Sequence, residues 1–278
     1  MSGRPRDPAP QPPAELAWAD ALAAWALPDE FAEGAGRSPW GHDPALFVDR
    51  ARRAVGRDLP GDRRAREALP RLGSVLDVGC GAGAAVVALG ARGRRVTGVD
   101  RSAGMLSAFR AVTDRWWRRI DTVEGEWPDV DVAVHDVVVC HDVVYDVPGL
   151  GRFVAALTAH ARRRVVIVLP ERHPMSWLTP YFERLHGLSR PERPTADDAL
   201  DVIRATGVTP HVERYRDPTR WGTPGAADSE ALVDTIRWRL AIPDGRDDEI
   251  RAVVAQHPPP SHRDALAVWW EPPAARTP

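Results

Sequence analysis

Seven consecutive residues, Asp77-Val78-Gly79-Cys80-Gly81-Ala82-Gly83, are where this chain could do chemistry. Alternating glycines let the backbone turn sharply and approach a ligand closely, because no Cβ intervenes. A helix that follows such a turn presents free N–H groups in its first turn. Asp100 stands 17 positions beyond Gly83. A carboxylate closing the next strand can accept both hydrogen bonds of a ribose diol. These residues describe a nucleoside site. The turn also satisfies the permissive pattern G-x-G-x-x-G/A through Gly79, Gly81 and Ala84, which is weak evidence alone. Asp77 is sharper. A carboxylate two residues before the first glycine repels a pyrophosphate and attracts a cationic sulfonium with a free amino group.

Such residues need elements to hold them. Ser74 to Val78 is a short apolar run that ends on the glycines, as a buried parallel strand does. Arg95 to Val99, Ile120 to Val123, Asp136 to Cys140 and Arg164 to Leu169 follow as strands. Helices are expected between them: Ala84 to Ala91, a segment capped by Ser102 with Met105, Leu106, Phe109 and Val112 on one face, and one carrying Leu150, Val154, Leu157 and Ala161. Thr195 caps a helix to Thr206, with Gly207 as its stop. Val208 to Tyr215 and Ala265 to Trp270 are the last strands, with helices at Ser229 to Leu240 and Ile250 to Ala255 between them. Helices at 14–26, Pro44 to Arg53 and Arg63 to Leu69 precede the first strand, and the Pro-rich residues 1–13 are expected to be a disordered tail. The alternation predicts an α/β fold: a Rossmann-like three-layer αβα sandwich with a seven-stranded, mostly parallel sheet and an N-terminal helical extension over 14–70. Residues 71–278 form the main domain, with a helical segment inserted at about 221–260.

VLDVGCGAG followed by VTGVD resembles the first two motifs of the class I S-adenosylmethionine-dependent methyltransferases. The resemblance covers Ser74 to Leu169 well and reaches Trp270 more loosely. It implies an S-adenosylmethionine cofactor, a methyl-transfer activity and an antiparallel last strand. It also implies that Gly79, Cys80, Gly81 and Gly83 line the aminoacid part of the cofactor, with Asp77 orienting the loop and the amino group. Asp100 would bind the ribose, with Arg101 and Met105 near the adenine. Glu126, where the family more often has Asp, would accept the adenine amino group, and Trp127 is either an adenine wall or ordinary core. Cys140 and His141 would line the methyl-donor side.

Methyl transfer from a sulfonium relies on proximity and orientation and demands no universal catalytic residue. A base is required only for a protonated oxygen or nitrogen acceptor; His141, Tyr145 and His173 are the candidates, none assigned as catalytic. His141-Asp142-Val143-Val144-Tyr145 stands where methyltransferases of exocyclic base amines carry Asn/Asp-Pro-Pro-aromatic, which argues against that group. The formal net charge of -2 gives no general attraction to nucleic acid or an acidic membrane. Arg115-Trp116-Trp117-Arg118-Arg119 and Arg162 to Arg164 read as basic helix ends rather than nucleic-acid surfaces. The two cysteines, Cys80 and Cys140, fit neither a disulfide framework nor a zinc site, and both read as packing residues. With neither a signal-peptide core nor a long apolar window, a cytoplasmic protein is expected. The helical preface and 221–260, with Trp40, Trp221 and Trp238, are expected to form a lid over a small apolar or aromatic acceptor. A nicotinamide-dependent oxidoreductase and a non-catalytic binding protein of the same fold are the competing readings; Asp77 and the glycine spacing oppose the first.

Overall fold

The computed structural model describes residues 12–28, 31, 38–39, 41–90, 93–218 and 230–273. Most of the expected tail, Trp40 and Trp221 lie outside the described residues. Three helices lead in: α1 (Pro13–Ala23), α2 (Pro44–Arg53) and α3 (Pro60–Ala68). Then β1 (Ser74–Val78), α4 (Ala84–Ala88), β2 (Arg95–Asp100), α5 (Ala103–Thr113), β3 (Arg119–Glu124), β4 (His135–His141), α6 (Leu150–Ala159) and β5 (Ala161–Pro170) alternate. The chain closes with α7 (Thr179–His186), α8 (Ala196–Ala205), β6 (His211–Asp217), α9 (Glu230–Arg239), α10 (Asp247–Gln256) and β7 (Arg263–Trp270).

The seven strands form one sheet in the order β3-β2-β1-β4-β5-β7-β6. β1 to β5 pair in parallel, and β7 runs antiparallel to both β5 and β6, as the resemblance implies. The order reverses between β1 and β4, where α/β sheets open a crevice at their carboxyl ends. Central strands β1 and β4 are buried on both faces, which is why their sequences are continuous apolar runs rather than alternating ones.

One face of the sheet carries a core built around Leu76, Val138, Ile167, Phe153 and Ile203, which α1 joins through the fully buried Trp18. The other face packs Val75, Val86, Val96, Phe109 and Val139 with Ala65 of α3. The N-terminal helices therefore divide between the faces: α1 packs on α8, while α2 packs on α4 and α5. A third core, with Tyr181, Phe182, Leu232, Ile236 and Ile250, joins α7, α9 and α10.

Local signals account for several boundaries. Thr195 and Asp198 cap α8 reciprocally, and Gly207 at φ +86° ends that turn. Ser102 accepts from the Met105 amide at the start of α5. Arg162 and Arg163 correct the helix-end reading: they are exposed residues within β5, which pairing with β4 extends back to Ala161. Arg164 also lies in β5 and pairs with Glu67 and Glu271. No described helix is long and apolar enough to cross a membrane.

Candidate cofactor site

β1 releases the chain into Gly79, Gly81 and Gly83, whose φ values are +67°, +47° and +89°. The loop is fastened to the end of β2. The Gly79 and Cys80 amides donate to the Val99 carbonyl at 2.9 and 3.0 Å. The Gly81 amide donates to Asp100 Oδ2 at 2.9 Å, and the Ser102 amide donates to Oδ1 at 2.9 Å. Asp100 thus clamps the loop while facing the cavity. Hydrogen bonds to a charged acceptor contribute about 1.5–3 kcal/mol each, enough to hold the loop in shape before a ligand arrives. A Cβ on Gly79 would stand 2.4 Å from Val143 Cγ2, and one on Gly81 would stand 2.9 Å from Phe47 Cδ1.

The loop borders a cavity of about 440 Å3 at the carboxyl ends of β1, β2 and β4. Of the residues picked out in the sequence, Gly79, Gly81, Asp100, Arg101, Met105, Glu126, Trp127 and His141 line it. Trp127 belongs to the core and to the cavity wall at once, and its indole donates to the Phe153 carbonyl at 3.3 Å. Gly125, at φ +149°, turns the chain toward Glu126, and its amide donates to the Asp100 carbonyl at 3.1 Å.

Asp77, Cys80, Gly83 and Cys140 are not on the cavity surface. Burial pushes both thiols well up, with the Asp77 charge adding to it, so they pack rather than react. Gly83 caps α4. Asp77 is 1% exposed, and its Oδ2 has no hydrogen-bond partner among the described residues. Burial, then the nearby Asp100 charge, pushes its carboxyl up to about 8. A buried acid under that strain suits a cationic ligand beside it. The cavity lining agrees: Asp100, Glu126, Asp142 and Asp146 outnumber Arg50 and Arg101. The same balance is hostile to a pyrophosphate, so the residues fit a sulfonium cofactor better than a dinucleotide.

Beyond β4 a buried ion network begins. Asp142, at φ +62°, accepts through Oδ2 from Arg50 of α2 and, at 3.1 Å, from Arg263 of β7, whose other guanidinium nitrogen lies 2.8 Å from Oδ1 as an ion pair. Arg263 reaches Asp217 of β6 at 3.1 Å. Burial alone would raise the Asp142 carboxyl, but Arg263 and Arg50 outweigh it and hold the group well below the carboxylate range. The network ties the N-terminal extension to the strand ends beneath the cavity.

The three candidate bases separate. The Tyr145 hydroxyl donates to the Pro170 carbonyl at 3.0 Å and lies off the cavity. His173 stacks on Trp25 at 4.0 Å and lines a different cleft, and burial and then Arg190 depress it to about 3. His141 reaches the cavity, yet its Nε2 is buried without a partner among the described residues, and burial lowers it to about 4. His42 was not evident from sequence. It is exposed at the cavity mouth, and partial burial of its ring lowers its pKa against the pull of Asp146. Phe47 and Arg50 were missed likewise. The only local signal was Asp43, which caps α2 by accepting from the Ala45 amide at 2.9 Å. It announces a helix but not where that helix packs.

Residues 75–165, from β1 into β5, match the methyltransferase domain family. This stretch is a class I methyltransferase domain. It contains the glycine loop, Asp100, Glu126 and His141. Carboxy-S-adenosyl-L-methionine synthase of Wolinella succinogenes is 33% identical to the chain over 78 residues, 26% of this chain. That match spans only 32% of the relative's length. The YcgJ protein of Bacillus subtilis shares the fold with a TM-score of 0.53 at 14% identity, over 76% of this chain and 97% of that one. The plantazolicin methyltransferase BamL, solved with a triazolic desmethylPZN analog and SAH, shares it with a TM-score of 0.50 at 14% identity, over 93% and 99%. In the methyltransferase domain of this chain, the glycine loop and the Asp100 clamp stand at the switch point of the sheet.

Proposed function

We propose that the chain is an S-adenosylmethionine-dependent methyltransferase that acts on a small acceptor, not a nucleic acid, in the cytoplasm. The observation that carries this reading is the pair of carboxylates flanking the glycine loop: Asp100 clamped and facing the cavity, Asp77 buried with an unpaired oxygen. S-adenosylmethionine, when bound, supplies an electrophilic methyl group on a sulfonium. Asp100 accepts hydrogen bonds from the ribose, and Asp77, protonated behind the loop before the cofactor binds, is drawn toward ionisation by the cation and so favours it. Gly79 and Gly81 admit the ligand by close backbone approach. Arg101, Met105, Glu126 and Trp127 border the adenine end, and His141 borders the methyl-donor end. Cys80, Gly83 and Cys140 shape this wall from behind.

The acceptor enters beside Phe47, Val143 and Val147, apolar neighbours of the cavity mouth. There the domain supplies proximity and orientation, with His42 as the reachable proton acceptor for a protonated nucleophile. α9 acts as part of a lid. The Trp238 indole donates to the Ser38 carbonyl at 2.9 Å, and Arg239 donates to the Pro39 and Gly41 carbonyls at 2.6 and 2.9 Å. Ser38 and Gly41 belong to the cavity wall, so α9 holds that wall over the site. Calorimetric titration with S-adenosylmethionine, S-adenosylhomocysteine and NAD, on the protein and on Asp100→Ala, tests the reading. Binding of the first two, lost in the variant, is expected. Binding of NAD alone overturns it.

A further inference from the structure

The parallel strands have a second end. Residues 71–73, 93–94 and 115–118 lead into β1, β2 and β3 and meet at the amino-terminal ends of these strands, opposite the cofactor cavity. At ~3.3 Å per residue, the strand between them spans roughly 17 Å. A groove of about 670 Å3 lies there, walled by Arg71, Arg115 and Arg118 with Leu72, Trp116 and Trp117.

Three independent features mark it. First, no carboxylate lines the groove among the described residues. Arg71, Arg115, Arg118 and the neighbouring Arg94 make no ion pair among the described residues, whereas the adjacent Arg95 and Arg119 both pair with Asp121. Second, Leu72 is 57% exposed and sits at φ +66°. A leucine in the left-handed region is strained because its Cβ crowds the following carbonyl, and strain of this kind collects at functional positions. Third, the Trp117 indole packs so tightly on Gly93 that a Cβ there would lie 2.1 Å from Trp117 Cζ3, and its buried N–H has no acceptor among the described residues. Buried donors without acceptors are rare in native proteins.

We infer that this groove docks an acidic, extended peptide segment of a partner protein. Its carboxylates pair with Arg71, Arg115 and Arg118, and an apolar side chain rests on Leu72 and Trp116. A bidentate guanidinium fork suits carboxylates, and the exposed leucine adds the apolar contact that a purely ionic surface lacks. A single-stranded nucleic acid fits less well. It needs exposed aromatic faces on which bases stack, but Trp117 is buried and Trp116 packs half-buried against the core. The inference does not depend on the methyl-transfer reading, because the groove and the cofactor cavity share no residue.

The test is calorimetric titration of the full chain with a glutamate-rich dodecapeptide containing one leucine, beside a single-stranded oligonucleotide of equal charge. The peptide binds the wild type, and about 300 mM salt weakens it several-fold relative to about 50 mM. Arg115→Glu with Arg118→Glu lowers peptide affinity by about tenfold or more. Leu72→Gly, which suits the left-handed backbone, lowers it about threefold while thermal unfolding shows the fold intact. Three outcomes overturn the inference: no peptide binding, peptide affinity unchanged by the charge reversal, or tighter binding of the oligonucleotide. Should the charge-reversed protein fail to fold, Leu72→Gly and the salt series decide alone.

Discussion

Asp77→Asn probes the site from within. The acid has an ordinary pKa of 3.8 and a folded value of about 8. The folded state therefore holds its proton at neutral pH, while the unfolded chain releases it. A raised acid pKa makes stability greatest below about pH 4, falling as pH rises and levelling above about pH 8. At ~1.4 kcal/mol per pH unit, the fold loses about 4 kcal/mol between about pH 5 and pH 8 through this one group. Asparagine cannot ionise, so the variant escapes that loss. Thermal unfolding without cofactor reads it directly. Relative to the variant, the wild-type Tm falls by roughly 10 °C across that range, from ~2–4 °C per kcal/mol for a chain of this size. Cofactor binding runs the other way. A bound cation favours ionised Asp77, so wild-type affinity for S-adenosylmethionine rises with pH and levels above about pH 8, while the variant binds about tenfold more weakly with a flatter profile. Parallel Tm curves for the two proteins, or a variant less stable than wild type at pH 8, would refute the argument that Asp77 is buried under electrostatic strain.

Three more predictions follow from contacts. Gly79→Ala reduces cofactor affinity by more than about tenfold, because its methyl meets Val143 and its φ is left-handed; Gly79→Ala with Val143→Ala recovers part of it in the same titration. Asp142→Asn leaves Arg50 and Arg263 without their shared counter-charge and destabilises the fold by about 3–5 kcal/mol, read by denaturant unfolding; a change under 1 kcal/mol would contradict the network. Trp238→Phe removes the hydrogen bond to Ser38, worth about 1 kcal/mol. It raises amide hydrogen exchange at residues 41–47 several-fold and leaves that at β1 unchanged; equal exchange in both proteins would dissociate α9 from the cavity wall.

Much of the fold was legible because its signals are local. β1 and β2 are apolar runs ending on a glycine loop and an aspartate, and α8 carries its own caps. α7 had comparable signals in Pro180 and Gly187, with Tyr181, Phe182 and Leu185 on one face, yet short apolar segments between strands are easily passed over. Arg162 and Arg163 follow a helix in sequence, and only pairing with β4 draws them into β5.

The sequence by itself determined the class of fold, the glycine loop that closes β1 and the two aspartates beside it. Those residues act within some thirty positions of one another, where spacing and backbone chemistry suffice. Only the tertiary structure decided that Asp77 lies behind the cavity wall with an unpaired oxygen, that His42, Phe47 and Arg50 line the cavity beside the loop, and that Tyr145 and His173 do not. Burial and long-range packing set those relations, because the free energy of a charge or a contact depends on neighbours brought from distant parts of the chain.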